Sequence, residues 1–250
     1  MAIGTACSPG VILFLSHMPW DFWLIFAVLL IVVPWRGRVR LRHLLAKERV
    51  DSRERITLYA TTIVFQWILA IVVASRAIAR GLSPAELGLA EIGWGKVLFP
   101  SIVGAATLGG LHWLNLRRVR EAGGPAAGIL RSLASRILPR SPQEMLPYFA
   151  LAVTAGVCEE FLYRGFGMAA LSHAGLPSGL AVLFTSLLFG LAHSYQGRNG
   201  VIATSLLGVV FGGFRILLGS LVPLAVWHVT VDLVAAIAGQ GLLVSATGEQ

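Results

Sequence analysis

Glu159, Glu160, Arg164, His193, His228 and Asp232 are the residues on which chemistry could run, because all six fall in or at the ends of apolar stretches. A charged side chain at the bilayer centre costs about 2.5–3.5 kcal/mol on insertion scales, so four such groups facing lipid would cost on the order of 10 kcal/mol. They must face a bundle interior, a water-filled cavity or one another. Spacing then sorts them. Residues four apart share a helix face, whereas neighbours point about 100° apart. Glu160 and Arg164 can therefore pair, while Glu159 points away from that pairing, toward the side of Tyr163. A carboxylate without a cationic partner suits a general base. Phe189 and His193 share a face, as do His228 and Asp232, whose carboxylate could fix the imidazole tautomer. Three helices thus each present acid–base groups to a common centre. Glutamate and histidine are also metal ligands, so a metal site built from Glu159, His193 and His228 competes with metal-free acid–base chemistry.

Other polar residues carry less. Asp21, beside Pro19 and Trp20, reads as an interfacial residue or a helix cap, and His112 as a structural one. Arg198 and Arg215 read as interfacial, with Arg198 in reach of a substrate. Cys7 and Cys158 are far apart and show no metal-like spacing, so both are read as unpaired thiols. Gly208 and Gly212 form a GxxxG pattern suited to close helix packing.

The elements that must position these residues are membrane helices. Of the 250 residues, 56% are hydrophobic and only 13% charged, and mean hydropathy is +0.77. A soluble domain carries about 25% charged residues. A span needs about 20 mostly apolar residues, and the pattern predicts spans near 22–35, 58–74, 97–114 and 148–163. Shorter apolar stretches follow at 165–173, 179–193, 200–218 and 221–238. The first span could start nearer Val11 if Pro19 only kinks it. The expected fold is all-α, a polytopic transmembrane bundle of about eight helices. Gly123-Gly124-Pro125 predicts a turn. Ile129, Leu130, Leu133 and Ile137 beyond it predict an amphipathic interfacial helix.

The net charge of +8 is concentrated: eight of the 20 basic residues lie in 36–55 and six in 117–140. Both segments sit between apolar spans, the pattern of cytoplasmic loops, which can also hold anionic lipid headgroups. This argues against a nucleic-acid partner and places the N-terminus outside. No Lys or Arg precedes Arg36, so the start does not read as a cleavable signal peptide. The basic segment after the first span can continue its helix. Residues 1–144 are expected to form N-terminal membrane helices with the two basic loops, and 145–240 the core that carries the chemistry, in one membrane unit.

Glu159-Glu160-Phe-Leu-Tyr-Arg164, then Phe189-x-x-x-His193, then His228-x-x-x-Asp232 resembles the signature EExxxR, FxxxH, HxxxN/D of the CPBP family of intramembrane proteases, which includes CAAX prenyl proteases and bacteriocin-processing enzymes. The resemblance covers about 145–240. It implies that Glu159 activates the attacking water, that His193 holds that water, and that His228 and Asp232 stabilise the oxyanion. Glu160 and Arg164 would lock the geometry. The resemblance admits either a metal-independent glutamate protease or a metalloprotease with a divalent ion such as zinc. Asp232 stands where prenyl-processing members have Asn, and an ionised Asp donates no hydrogen bond. It would be protonated, orient His228, or add an anionic metal ligand.

The implied substrate is a membrane-associated peptide or protein, CAAX-type and prenylated in the best-understood members, met from within the lipid. A bacterial inner membrane suits a short polytopic chain of this kind. Two other functions use the same residue types: a proton-coupled transporter, and a non-enzymatic scaffold or self-immunity factor that keeps the motif for stability or binding.

Overall fold

A computed structural model of the chain describes residues 18–90 and 93–241, with the side chains of 124–130 excepted. Cys7, the alternative start near Val11 and the faces of Ile129 and Leu130 lie outside the described residues. Eight helices make up the described chain: α1 Trp20–Leu45, α2 Ser52–Ala79, α3 Trp94–Ala122, α4 Gly124–Ile137, α5 Pro142–His173, α6 Ser178–Ala192, α7 Gly197–Leu218 and α8 Val222–Gly239. No strand occurs among the described residues. Six helical stretches are long and apolar enough to cross a bilayer, where a helix satisfies its own backbone polar groups. The chain is an integral, multi-pass membrane protein of the expected all-helical class.

Local sequence explains the boundaries. α1 starts after Pro19 and runs through the first four arginines of the basic segment, so that stretch is helix rather than loop. α2 opens with a capping box: Asp51 Oδ1 accepts from the Glu54 amide at 2.7 Å, and Glu54 Oε2 accepts from the Asp51 amide at 3.3 Å. Two of the orphan donors of the first turn are satisfied in this way. The turn expected at Gly123 forms at a φ of +63°, a conformation that glycine adopts without steric cost. One expectation fails: 165–173 is not a separate short helix. α5 continues to His173 through a π-helical stretch at Phe161–Gly167, because no Pro or polar turn interrupts it.

α5 is the central helix. Half of its most apolar window is buried, against 11% for α3. It packs between α2 and α8; α3 covers α8, and α6 pairs with α7. The outer faces carry exposed Ile68, Ile71, Phe99, Ile102, Leu183, Leu187, Leu206 and Leu217, an apolar surface far larger than a soluble monomer shows. The α6–α7 contact uses the small-residue pattern: Gly208 faces the Ser186 backbone and Gly212 faces Val182. Packing is therefore the use of that motif.

Two buried carboxylates tie α2 to its neighbours. Asp21 makes no cap: it is buried and accepts from Arg76 at 2.6 Å and Arg80 at 3.1 Å. The start of α1 meets the end of α2 there, so the carboxylate finds two cations on successive turns. At the other end of α2, Arg55 donates to both oxygens of Glu144 at 2.7 and 2.9 Å. Arg215 likewise is a loop clamp, donating to the Glu86 carbonyl at 2.8 Å.

The Arg55–Glu144 fork yields a test. Removing one partner of a buried pair leaves an uncompensated charge and costs about 3–5 kcal/mol, whereas replacing both by apolar groups is often neutral. Arg55→Met is expected to lower the melting temperature in detergent more than Arg55→Met/Glu144→Met does. A double variant as unstable as the single one would remove this account of the α2–α5 contact.

Candidate active site

Glu159 and Glu160 lie just before the π-helical stretch of α5, and the stretch is buried throughout. α8 comes close to α5 because residue 156 is glycine. A Cβ there would sit 2.9 Å from the Ala225 carbonyl oxygen and 2.6 Å from Val229 Cγ2. That approach sets His228 against the glutamate pair. His193 ends α6, where its ring Nδ1 lies 2.9 Å from the Phe189 carbonyl. A carbonyl only accepts, so the proton is on Nδ1, and Nε2 is left as an acceptor in the neutral ring.

Glu160 joins two helices. Its Oε1 accepts from Arg164 Nη1 at 2.9 Å and lies 2.8 Å from His228 Nδ1. Glu160 and Arg164 are essentially fully buried. The Arg164 guanidinium stacks 4.2 Å above the Phe189 ring, and that ring also lies 4.6 Å from the His193 ring. Phe189 and Glu160 therefore link the arginine to both histidines. The i, i+4 pairing of Glu160 with Arg164 is as the spacing predicts. The group that orients His228 is not the expected one, however. Asp232 Oδ2 is 4.0 Å from His228 Nε2, beyond hydrogen-bond reach, while Glu160 holds the opposite nitrogen. The α8 geometry points the His228 Nδ1 edge at α5, which gives Glu160 the orienting position.

Glu159 points away from this pair. Its Oε1 accepts from Gln66 Nε2 at 2.6 Å. Its Oε2 is buried with no hydrogen-bond partner among the described residues, 3.9 Å from His193 Nε2 and 3.8 Å from His228 Nε2. Polar atoms at that separation are not bonded directly, and one water can bridge them. The sequence brought forward Glu159, His193 and His228, and the structure sets them round one point, with Asp232 at its edge. Gln66 was missed, because only ionisable groups were sought; an amide halfway along the apolar run of α2 was the available signal. Tyr195 was also missed: it stacks near His193 and packs over Gly37 of α1.

The alternative metal set, Glu159, His193 and His228, is not spaced for a tetrahedral zinc in this arrangement. Tetrahedral zinc with bonds of about 2.0–2.1 Å brings its donors within about 3.4 Å of one another. Here both His–Glu separations are longer, and no group of three His, Cys, Asp or Glu side chains among the described residues has a metal-holding arrangement.

Beside Glu159 lies a cavity of about 200 Å³, lined by Gln66, Tyr163, His193 and Tyr195 at the polar groups and by Leu41, Leu44, Leu58 and Leu69 elsewhere. Its walls come from α1, α2, α5 and the end of α6. Arg198 stays exposed on the first turn of α7 and does not line it.

The two glutamates differ in what their loss does to the fold. Glu160→Ala strands the buried Arg164 and is expected to cost about 3–5 kcal/mol. Glu159→Ala removes one hydrogen bond and is expected to cost about 1–2 kcal/mol. Thermal melts of both variants in the same detergent check this, and equal destabilisation would contradict the division of roles.

A search of the curated proteins and of the solved structures gives no match to this chain. A protein-family comparison does: residues 141–234 match the Rce1-like family, described as type II CAAX prenyl endopeptidase Rce1-like. The matched segment runs from the start of α5 into α8 and contains Glu159, Glu160, Arg164, His193, His228 and Asp232. On that segment, which is less than half of the chain, this membrane protein is similar to the Rce1-like type II CAAX prenyl endopeptidase family.

Proposed function

We propose that the protein hydrolyses a peptide bond of a membrane-associated, prenylated CAAX-type polypeptide, with Glu159 as the general base. One observation carries the reading. The buried, unpartnered Glu159 Oε2 faces the Nε2 atoms of two histidines at 3.8 and 3.9 Å. A water between them donates one proton toward Glu159 and the other toward His193 Nε2, and its oxygen attacks the scissile carbonyl carbon. Gln66 holds the other oxygen of Glu159, so Oε2 is the one turned to the water.

As the carbon becomes tetrahedral, negative charge collects on the former carbonyl oxygen. Donors already aimed at that position lower the barrier, typically by several kcal/mol. His228 is placed for this: Nε2 points into the site, and the Glu160 carboxylate behind Nδ1 supplies the counter-charge when the ring donates. The proton taken by Glu159 passes to the leaving amine as the C–N bond breaks, giving a carboxylate and a free amine. Asp232 flanks His228 without a hydrogen bond to it, so it shapes the oxyanion side rather than taking the proton. The apolar surface lets a lipid-anchored substrate reach the site from the bilayer, which we take to be a bacterial inner membrane.

The experiment is cleavage of a farnesylated CAAX-type peptide by the purified protein in detergent. Glu159→Gln is expected to lower kcat by about a thousandfold or more, and Gln66→Leu by about tenfold, in line with the 10²–10⁴-fold worth of a positioned base. Full activity of Glu159→Gln would sink the protease reading in favour of a contaminant, and a biological role that survives this substitution would favour a scaffold. Asp232→Asn is expected to keep or exceed the wild-type rate, because an amide can donate to the oxyanion and an ionised carboxylate cannot. A drop beyond about a hundredfold, the scale of a lost proton-transfer group, would show that the carboxylate itself is required.

A further inference from the structure

Four arginines at the helix contacts have an acid. Arg55 has Glu144, Arg76 and Arg80 have Asp21, and Arg164 has Glu160. Arg36 and Arg40 do not. They sit one turn apart on one face of α1, and no ion pair forms with either among the described residues. Like charges four apart repel, yet both line the same apolar cavity as Glu159, Tyr163 and His193.

Both guanidinium groups are also held in place. Arg36 donates to the Thr61 carbonyl at 2.8 Å and lies 4.2 Å over the Phe65 ring. Arg40 donates to the hydroxyls of Thr62 and Thr61, each at 2.7 Å. Every acceptor is neutral, so the two positive charges are positioned without being neutralised. A fixed pair of guanidinium groups in an apolar cavity is a carboxylate or phosphate site in outline.

The register along α2 sets the distance from the site of cleavage. Gln66 holds Glu159, and Thr62, one turn earlier, holds Arg40. Those four residues span about 6 Å of helix axis. Side-chain reach widens the gap to roughly 6–10 Å, which extended peptide at about 3.3 Å per residue covers in two or three residues. We propose that Arg36 and Arg40 bind the free C-terminal carboxylate of the peptide substrate and so fix how far from the chain end Glu159 directs the cut. This rests on the protease reading above. A peptide terminus is favoured over a lipid headgroup because the pair opens onto the cavity that Glu159 itself lines.

The test measures binding, so it does not depend on turnover. A farnesylated CAAX-type peptide with a free carboxylate, and the same peptide as a C-terminal amide, are titrated against the Glu159→Gln protein in neutral detergent. The acid is expected to bind about tenfold more tightly than the amide, the scale of a charge-assisted hydrogen bond. That preference should vanish in the added Arg36→Gln/Arg40→Gln background and return in part with Arg36→Lys/Arg40→Lys. Equal affinity for acid and amide in the parent protein overturns the proposal without any arginine variant having to fold. Equal affinity together with arginine-dependent binding of phosphatidylglycerol vesicles assigns the pair to lipid headgroups and overturns it too. An intact preference in a protein that never cleaves the peptide upholds the carboxylate site while removing the protease reading.

Discussion

The Glu160 carboxylate, shared between Arg164 on its own helix and His228 on α8, is the contact on which the rest of the centre depends. Both partners reach the same oxygen in a fully buried setting, where an unpaired charge is far more costly than in water. The arrangement fixes the distance between α5 and α8 and the rotation of the His228 ring together. Arg164 extends the constraint to α6 by stacking on Phe189, whose backbone carbonyl holds His193. Two imidazoles from different helices are thus oriented by one chain of contacts, and Glu159 meets their free edges.

This division explains why adjacent glutamates carry opposite duties. About 100° of helical rotation separates them. Glu160 faces the α6–α8 side and is consumed by structural bonds. Glu159 faces the cavity and keeps one oxygen without a protein partner. The π-helical stretch begins at the next residue, and wide turns of this kind recur at functional sites because they re-aim side chains.

Much of this was legible in the sequence. The span pattern predicted a bundle of about eight helices, and the i, i+4 rule separated Glu160 from Glu159 correctly. What failed did so for identifiable reasons. His228–Asp232 spacing allowed a contact, but spacing fixes only the shared face, and the ring turned its Nδ1 edge toward Glu160 on another helix. The pairing of Asp21 was not legible because its cations lie more than fifty residues away, across an antiparallel helix pair. Gln66 is neutral and was passed over, although an amide in mid-span is costly unless bonded. The continuity of α5 through 161–167 was hidden because a π stretch has no compositional marker.

The family match begins only at residue 141, yet Gln66, Arg36 and Arg40 belong to α1 and α2. The wall of the cavity opposite the glutamates is thus encoded in a separate stretch of chain, in which Asp21 ties α1 to α2 while Arg55 and Gln66 tie α2 to α5. Substitutions in those two helices can alter what enters the cavity while leaving the acid–base residues in place. Divergence in what the cavity admits would then be written in α1 and α2, which the family match does not reach.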